Sequence, residues 1–320
     1  MQDPFVRVGL IGGGDHARNA LAGAIGRMPG WSVAAVADPD VAARGRIGAS
    51  LPQARVFDSH RTLLAETDDL DLIIIATPPA ASVGVLRSAW TTKAAILMEK
   101  PGALGSSDMD ELPTHRAAPL SCAYGYRFHP TVLAFRERLA EAGALERIEL
   151  RFHAPIDVTG TWREKRETGG GALRDLGAHL LDLASWLLRE PLVLDRAVIR
   201  SRRTGDDEAT VDYQAGAVRL RIGCAYHGTP EFSLNATGAN GDLRAELWSM
   251  TTPARGKVQA MMSRVRSKLP GAWRPANALA LSRMNMLSAA VANTSPHAPA
   301  SIRDAVMVLQ LIEAAEESAL

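Results

Sequence analysis

The chain has 320 residues, enough for about two domains with cores of their own. With 47% apolar and 22% charged residues it reads as globular, and a net charge of +1 excludes a global field that would recruit nucleic acid. Two cysteines, Cys122 and Cys224, exclude a disulfide framework or zinc cluster, no apolar run nears the roughly 20 residues of a membrane span, and no basic leader is read at the start, so a cytoplasmic location is expected.

Phe5 to Ile11 reads as a buried strand that runs into Gly12-Gly13-Gly14-Asp15-His16-Ala17. Its first, third and sixth positions fit the dinucleotide fingerprint. Gly12 makes the tight turn, Gly14 lets the backbone approach a pyrophosphate, and Ala17 permits close helix–strand packing. The helix from Asp15 to about Arg27 aims its free N–H groups at the phosphates. Trp31 to Ala37 is the second strand and ends at Asp38, about 20 residues past the glycines, where a carboxylate accepts the adenosine ribose hydroxyls. Such a carboxylate repels a 2′-phosphate, which favours NAD; Arg44 and Arg46 downstream keep NADP open. A turn and helix cap at Asp38-Pro39-Asp40 is the competing reading.

Helices and strands then alternate: Val41 to Ser50, Ala54 to Phe57, Ser59 to Glu66, Leu70 to Ala76, a further helix, and Ala94 to Met98. The Leu-Ile-Ile-Ile run of the fourth strand is what a parallel strand buried on both faces looks like. This pattern predicts an α/β fold with an N-terminal doubly wound parallel sheet, whose ligands bind beyond the carboxyl ends of the strands. The glycine loop, Asp38, Thr77-Pro78 and Glu99-Lys100 all fall at such ends. Lys100 has two readings there, a surface lysine or a donor that favours deprotonation of a substrate hydroxyl.

Tyr124 to Pro130 joins the two halves, with Arg127 read as holding a carboxylate or a backbone carbonyl there, a structural role favoured over a contact with substrate. An amphipathic helix follows from Thr131 to Glu141, and alternation from Arg147 to His153 marks a strand. Trp162 to Glu167 overhangs the glycines. Trp162 is a candidate to stack on a sugar face and Arg163 to meet an anionic group, with a plain solvated loop as the alternative. Gly169-Gly170-Gly171 then opens a helix that runs to about Arg189, ahead of Pro191. Asp175 and His179 are four apart and share one face of it. They read either as acid–base equipment or as a dipole-favouring aspartate and a core histidine. Asp182 extends the same flank, but without a second ligand cluster no metal is expected.

Val193 to Arg200, Ala209 to Tyr213, Val218 to Cys224, Glu231 to Ala236 and Leu243 to Leu247 read as strands of a second sheet. The segment 255–274 is basic, with Val258, Met261, Met262, Val265 and Leu269 at helical spacing. It reads either as a surface helix packed on its own domain or as a peripheral contact with an anionic membrane or a phosphorylated substrate. A last helix starts near Ser301.

Glu99-Lys100-Pro101 after the glycine loop, followed by the Gly170-Gly171 helix, resembles the glucose–fructose oxidoreductase / inositol dehydrogenase (Gfo/Idh/MocA) family. Ile73 to Pro78, Tyr124 to Pro130, Gly238 to Leu243 and the final helix extend the likeness over nearly the whole chain. Ser82 departs from it, standing where relatives often carry a histidine. The resemblance implies a Rossmann domain over 1–122 and a substrate-binding and oligomerisation domain over 123–320. The latter would carry a large, mostly antiparallel open sheet, with the last helix packing back on the first domain. It implies NAD or NADP bound by Gly12, Gly13, Gly14, Asp15, His16, Asp38, Thr77, Pro78, Glu99 and Lys100. The substrate it implies is a sugar or cyclitol, nucleotide- or lipid-linked forms included, met by Lys100, Arg127, Trp162, Arg163, Asp175 and His179. His179 would accept the alcohol proton, Asp175 would orient, Lys100 would assist, and the peptide before Pro101 would be cis. The chain is expected to form a homo-oligomer, a dimer or tetramer, through the broad face of the second sheet. NAD-using chemistry without net redox and a non-catalytic NAD-binding sensor stand as alternatives.

Overall fold

The computed structural model describes residues 5–110, 112–113, 115–202, 205–249, 278–292 and 298–319. The basic segment 255–274, expected as an amphipathic helix, lies outside the described residues. Among these residues no helix is long and apolar enough to cross a membrane.

The first half is a parallel sheet of β1 (Val6–Ile11), β2 (Trp31–Ala37), β3 (Arg55–Phe57), β4 (Leu72–Ile75), β5 (Ala95–Met98) and β6 (Leu120–Cys122), in the order β3-β2-β1-β4-β5-β6. All five neighbouring pairs run parallel. The apolar run of β4 is buried at every position, because its alternate side chains serve opposite faces. Leu72 and Ile74 pack with Val8 and Leu10 on one face; Ile73 and Ile75 pack with Ile11 and Ile96 on the other. The strand order reverses between β1 and β4, so the loops leaving these strands splay apart into a crevice. α1 (Ala22–Ile25), α2 (Val41–Ser50), α3 (His60–Glu66) and α4 (Pro79–Ala89) supply crossovers, the second and third capped at their starts by Asp40 and Ser59, and α5 (Pro130–Arg138) follows the sheet. β6, which hydrophobic patterning does not reveal, is three residues long and leaves a Pro-containing connection.

The second sheet has the order β12-β11-β7-β10-β9-β8, built from β7 (Leu145–His153), β8 (Leu192–Arg200), β9 (Glu208–Ala215), β10 (Val218–Ala225), β11 (Glu231–Gly238) and β12 (Gly241–Ser249). Only β7 and β10 pair in parallel; the other neighbours are antiparallel. β10 alternates outward Arg219 and Arg221 with inward Leu220 and Ile222, the signature of a sheet covered on one side. Its inner face packs on α6 (Ala178–Leu188), where Leu180, Leu181, Leu183 and Ala184 are fully buried.

Two later helices return to the first half. α7 (Ala278–Ala292) contributes Met286, Leu287, Ala289 and Ala290 to the core that holds β1. α8 (Ile302–Ser318) serves both halves: Leu309 packs under the parallel sheet, while Ala305, Val308 and Ile312 pack under the other.

Candidate active site

The crevice above β1 and β4 is lined by the glycine loop. Gly12 has φ +102°, and a Cβ there would stand 2.5 Å from the Ala76 carbonyl, so only glycine lets the β1 and β4 loops approach each other. At Gly14 the same hypothetical Cβ would meet nothing within 4 Å, so the backbone there faces open space. Asp38 closes the far side. Its Oδ2 accepts from Gly13 N at 2.6 Å and its Oδ1 from Asp40 N at 2.8 Å. The carboxylate thus stays beside the glycines, with lone pairs left for ribose hydroxyls. Arg44 does not counter it, since Nη1 donates to the Asp38 and Pro39 carbonyls at 2.8 and 2.9 Å. An exposed glycine backbone, an adjacent carboxylate and a strand-order reversal are what a dinucleotide requires, and these residues fit one.

Thr77 and Pro78 follow β4 beside this loop. Buried Ser82 donates to both of their carbonyls, at 3.2 and 3.1 Å, and so holds the turn. His16 Nε2 lies 3.0 Å from Glu99 Oε1. Burial alone would raise the Glu99 carboxyl; the His16 imidazole and Lys100 outweigh it and hold it below its usual value. Asp15 turns to the surface, where its Oδ1 accepts from Arg18 at 2.9 Å.

Beyond Glu99 lies the cluster of Lys100, Asp175 and His179. The Lys100–Pro101 peptide is cis. Lys100 Nζ donates to Asp175 Oδ1 and to the Asp175 carbonyl, both at 2.6 Å, with side-chain exposures of only 10% and 6% for the pair. Asp175 lies in a π turn, Leu173–Gly177, that leads into α6. Such widened turns recur at functional sites, and here the carbonyl inside one serves an outside donor. The other carboxylate oxygen accepts from Arg163 Nε at 2.9 Å. Tyr226 places its hydroxyl 3.1 Å from the Gly171 carbonyl and 3.3 Å from Asp175 Oδ2. Burial alone would raise the Asp175 carboxyl; Lys100 and Arg163 instead hold it well below the ordinary carboxylate range.

His179 stands one turn further along. Tyr126 meets its ring edge-on at 4.8 Å, and Tyr124 and Phe152 flank it at 6.1 and 6.2 Å. Its Nδ1 is buried with no hydrogen-bond partner among the described residues. Burial first, and then the Lys100 charge, push the imidazole well below its usual pKa, so it is neutral and keeps a free lone pair. That is the state of a proton acceptor.

The glycine strap sets the roof. A Cβ on Gly170 would fall 2.4 Å from the Arg163 carbonyl, so glycine is needed for the Trp162–Glu164 turn to lie across the helix start. Arg163 stacks over the Trp162 ring at 4.5 Å while reaching Asp175. From below, Arg174 forms a buried pair with Glu316 of α8 at 2.6 and 2.7 Å and also donates to the Leu104 carbonyl. Glu313, one turn earlier on α8, accepts from Ser106 N and Oγ at 2.7 and 2.6 Å. The last helix therefore clasps both the Lys100 loop and the Asp175 turn.

Lys100, Asp175, His179, Trp162 and Arg163 are thus brought together, and the glycine loop, Asp38, Thr77, Pro78 and Glu99 line the adjoining crevice. Arg127 is not in the site. Its guanidinium is buried in a two-pronged pair with Asp182, at 2.5 to 3.1 Å, with Asp304 of α8 at 3.5 Å. Its donors are committed to binding α6 and α8 to the connecting turn, which corrects the expectation that it meets substrate and removes Asp182 as an open ligand. Tyr226, Tyr126 and Phe152 belong to the site without having been picked out by sequence.

Residues 6–123 match the family model described as an oxidoreductase family with an NAD-binding Rossmann fold, and residues 133–249 match the GFO/IDH/MocA C-terminal domain. Inositol 2-dehydrogenase 2 of Paenarthrobacter aurescens is 29% identical over 203 residues, covering 58% of this chain and 57% of that protein. The dTDP-3,4-didehydro-2,6-dideoxy-alpha-D-glucose 3-reductase of Streptomyces antibioticus is 27% identical over 208 residues, 63% of each chain. The aligned stretches span less than two thirds of these relatives' own lengths. The crystal structure of GenD2 from gentamicin A biosynthesis shares the fold, with a TM-score of 0.81 over 100% of this chain and 95% of that one at 22% identity.

Proposed function

The chain belongs to the Gfo/Idh/MocA family of oxidoreductases, and from that premise we propose that it is an NAD-dependent dehydrogenase or reductase acting on a ring hydroxyl or ketone of a sugar, cyclitol or nucleotide-linked sugar. The observation that carries this reading is the neutral His179, its Nδ1 without a hydrogen-bond partner among the described residues, one helical turn from an Asp175 that is locked to Lys100. When bound, NAD supplies the two-electron acceptor for the C–H bond of the carbinol.

The remaining work belongs to the chain. Gly12, Gly13, Gly14 and Asp38 hold the dinucleotide, and the Asp38 charge disfavours a 2′-phosphate. His179 takes the hydroxyl proton of the substrate. Lys100, held by Asp175, donates to the same oxygen and stabilises the charge that develops as the proton leaves. Asp175 fixes Lys100 and balances its charge while remaining ionised itself. Trp162 and Arg163 cover the opening and position the substrate. In the reductive direction His179 returns the proton. The same reading carries assembly into a homo-oligomer across the face of the second sheet that exposes Arg151, Arg219 and Arg221.

The test is absorbance and fluorescence of the purified protein before any cofactor is added, then with NAD and a panel of sugars, cyclitols and nucleotide sugars. Appearance of NADH with one panel member, lost in His179→Asn, is the expected result. Tightly bound NAD(H) that cycles without net change would replace it with a transient-redox enzyme. Binding of NAD without any turnover would overturn it in favour of a sensor.

A further inference from the structure

Arg283 is a cation of this site that the roles above do not use. It sits on α7, which is seated on the Gly125–Phe128 turn. Ser282 Oγ donates to the Gly125 carbonyl, Met286 Sδ lies 3.4 Å from where a Cβ on Gly125 would stand, and Leu287 is buried beside Phe128. Arg283 follows Ser282 and stands one helical turn before Leu287, is half-buried, and acts through its charge on Tyr126, Glu99 and His179. Among the described residues it makes no hydrogen bond and no ion pair.

The nearby carboxylates are already committed. Glu99 is paired with His16, and Asp175 is shared by Lys100 and Arg163. Three cations, Lys100, Arg163 and Arg283, therefore face two carboxylates, and the oxidised nicotinamide ring brings further positive charge. A half-buried guanidinium with no ion pair among the described residues, and only the more distant charge of Glu99 to balance it, bears a desolvation cost that an anion would offset. Burial does press on it, pulling the guanidinium below its usual range. Its planar fork suits a carboxylate or a phosphate, which it can meet with two parallel N–H donors.

We propose that Arg283 is a specificity residue that receives an anionic substituent, a carboxylate or a phosphate, on the substrate. This rests on the sugar- or cyclitol-directed reading above. The ring carbon to be oxidised faces His179 and Lys100, and the anionic group lies toward α7. The substrate is then a sugar acid or a phosphorylated or nucleotide-linked sugar rather than a neutral polyol.

The test uses the NADH complex of the full chain and titration calorimetry with D-glucose, D-glucuronate and D-glucose 6-phosphate, in the native protein, Arg283→Gln and Arg283→Lys. At least one anion should bind about tenfold tighter than glucose, a preference that shrinks to within about threefold in Arg283→Gln and is partly kept in Arg283→Lys. The affinity for NADH, measured by its fluorescence, should change less than about twofold. Preference for glucuronate alone identifies a carboxylate, and preference for the phosphate ester alone a phosphorylated substrate. Equal or absent binding of all three ligands, or an anion preference that survives Arg283→Gln, overturns the proposal. So does a parallel loss of NADH affinity, which would give Arg283 to the cofactor. NAD reduction is scored separately. Turnover of neutral polyols without anion preference sinks this inference alone, whereas anion binding without any turnover on the wider panel sinks the dehydrogenase reading alone.

Discussion

Lys100 Nζ bonds two different parts of Asp175, the carboxylate and the main-chain carbonyl, each at 2.6 Å. One contact balances charge and the other fixes direction, because a carbonyl inside a helical turn cannot swing as a side chain does. The ammonium of the parallel-sheet half is thereby placed by the backbone of the other half.

Breaking that pair should be costly. Lys100→Met leaves Asp175 with Arg163, which is 32% exposed, and with Tyr226. Removing one partner of a buried pair costs about 3 kcal/mol or more. Urea unfolding should register that loss, and kcat should fall by about 100-fold. A variant as stable as the native protein would show that the pair is not as dry as its exposure indicates.

His179 makes a pH prediction. Its folded pKa lies well below the ordinary value, so the unfolded chain binds more protons than the folded one beneath about pH 6.5. The contribution is fully present above that pH and is lost as pH falls toward the folded pKa. His60, His129 and His153 are lowered too and act with the same sign. The difference between native and His179→Asn isolates one residue. Moving from pH 7.5 to 5.5 should lower the stability of the native protein more than that of the variant, as read by urea unfolding at each pH. At pH 7.5 the variant should bind NADH normally and lose about 100-fold or more in kcat.

Asp38 should set the choice of cofactor. Asp38→Ser removes the negative charge beside the glycine loop while leaving an oxygen near Gly13 N. Binding titrations should show the native protein preferring NADH to NADPH, and the variant's ratio moving toward NADPH by about tenfold. An unchanged ratio would mean that the adenosine ribose lies elsewhere.

Tyr226→Phe deletes one hydroxyl and little volume. A hydrogen bond to an ionised carboxylate contributes about 2 kcal/mol, so the melting temperature should fall by several degrees. If the hydroxyl keeps Asp175 in place, kcat should fall about tenfold with KM nearly constant. A fall in stability without a change in kcat would make Tyr226 a purely structural residue.

The parallel half was legible because its signals are local. A glycine loop follows an apolar strand, and Leu72 to Ile75 is apolar without interruption. Asp175 and His179 were legible for the same reason, being four apart on one helix. The π turn was not, since Leu173 to Gly177 carries ordinary helix-compatible residues. Tyr226 was hidden because its partner lies 51 positions away, across a sheet whose strand order no local pattern gives. Arg127 has the structural role that its sequence context favours but no place among the substrate contacts, for a related reason. Its partner Asp182 lies 55 positions along, and only the packing of the helix that carries it brings the two together. Arg283 belonged to a run of basic residues, and nothing within that run distinguishes the one whose charge reaches Tyr126 and His179.

The clasp of α8 has a bearing on the order in which the protein is made. A ribosome that has extended the chain through β12 has already supplied every strand of both sheets together with Lys100, Asp175 and His179. Glu313 and Glu316, which tie down Ser106 and Arg174, have yet to be synthesised. The nascent chain can condense sheet by sheet, as domains generally do during synthesis. The ties that α8 adds to the Lys100 loop and the Asp175 turn form only once that helix has emerged, after every strand of both sheets.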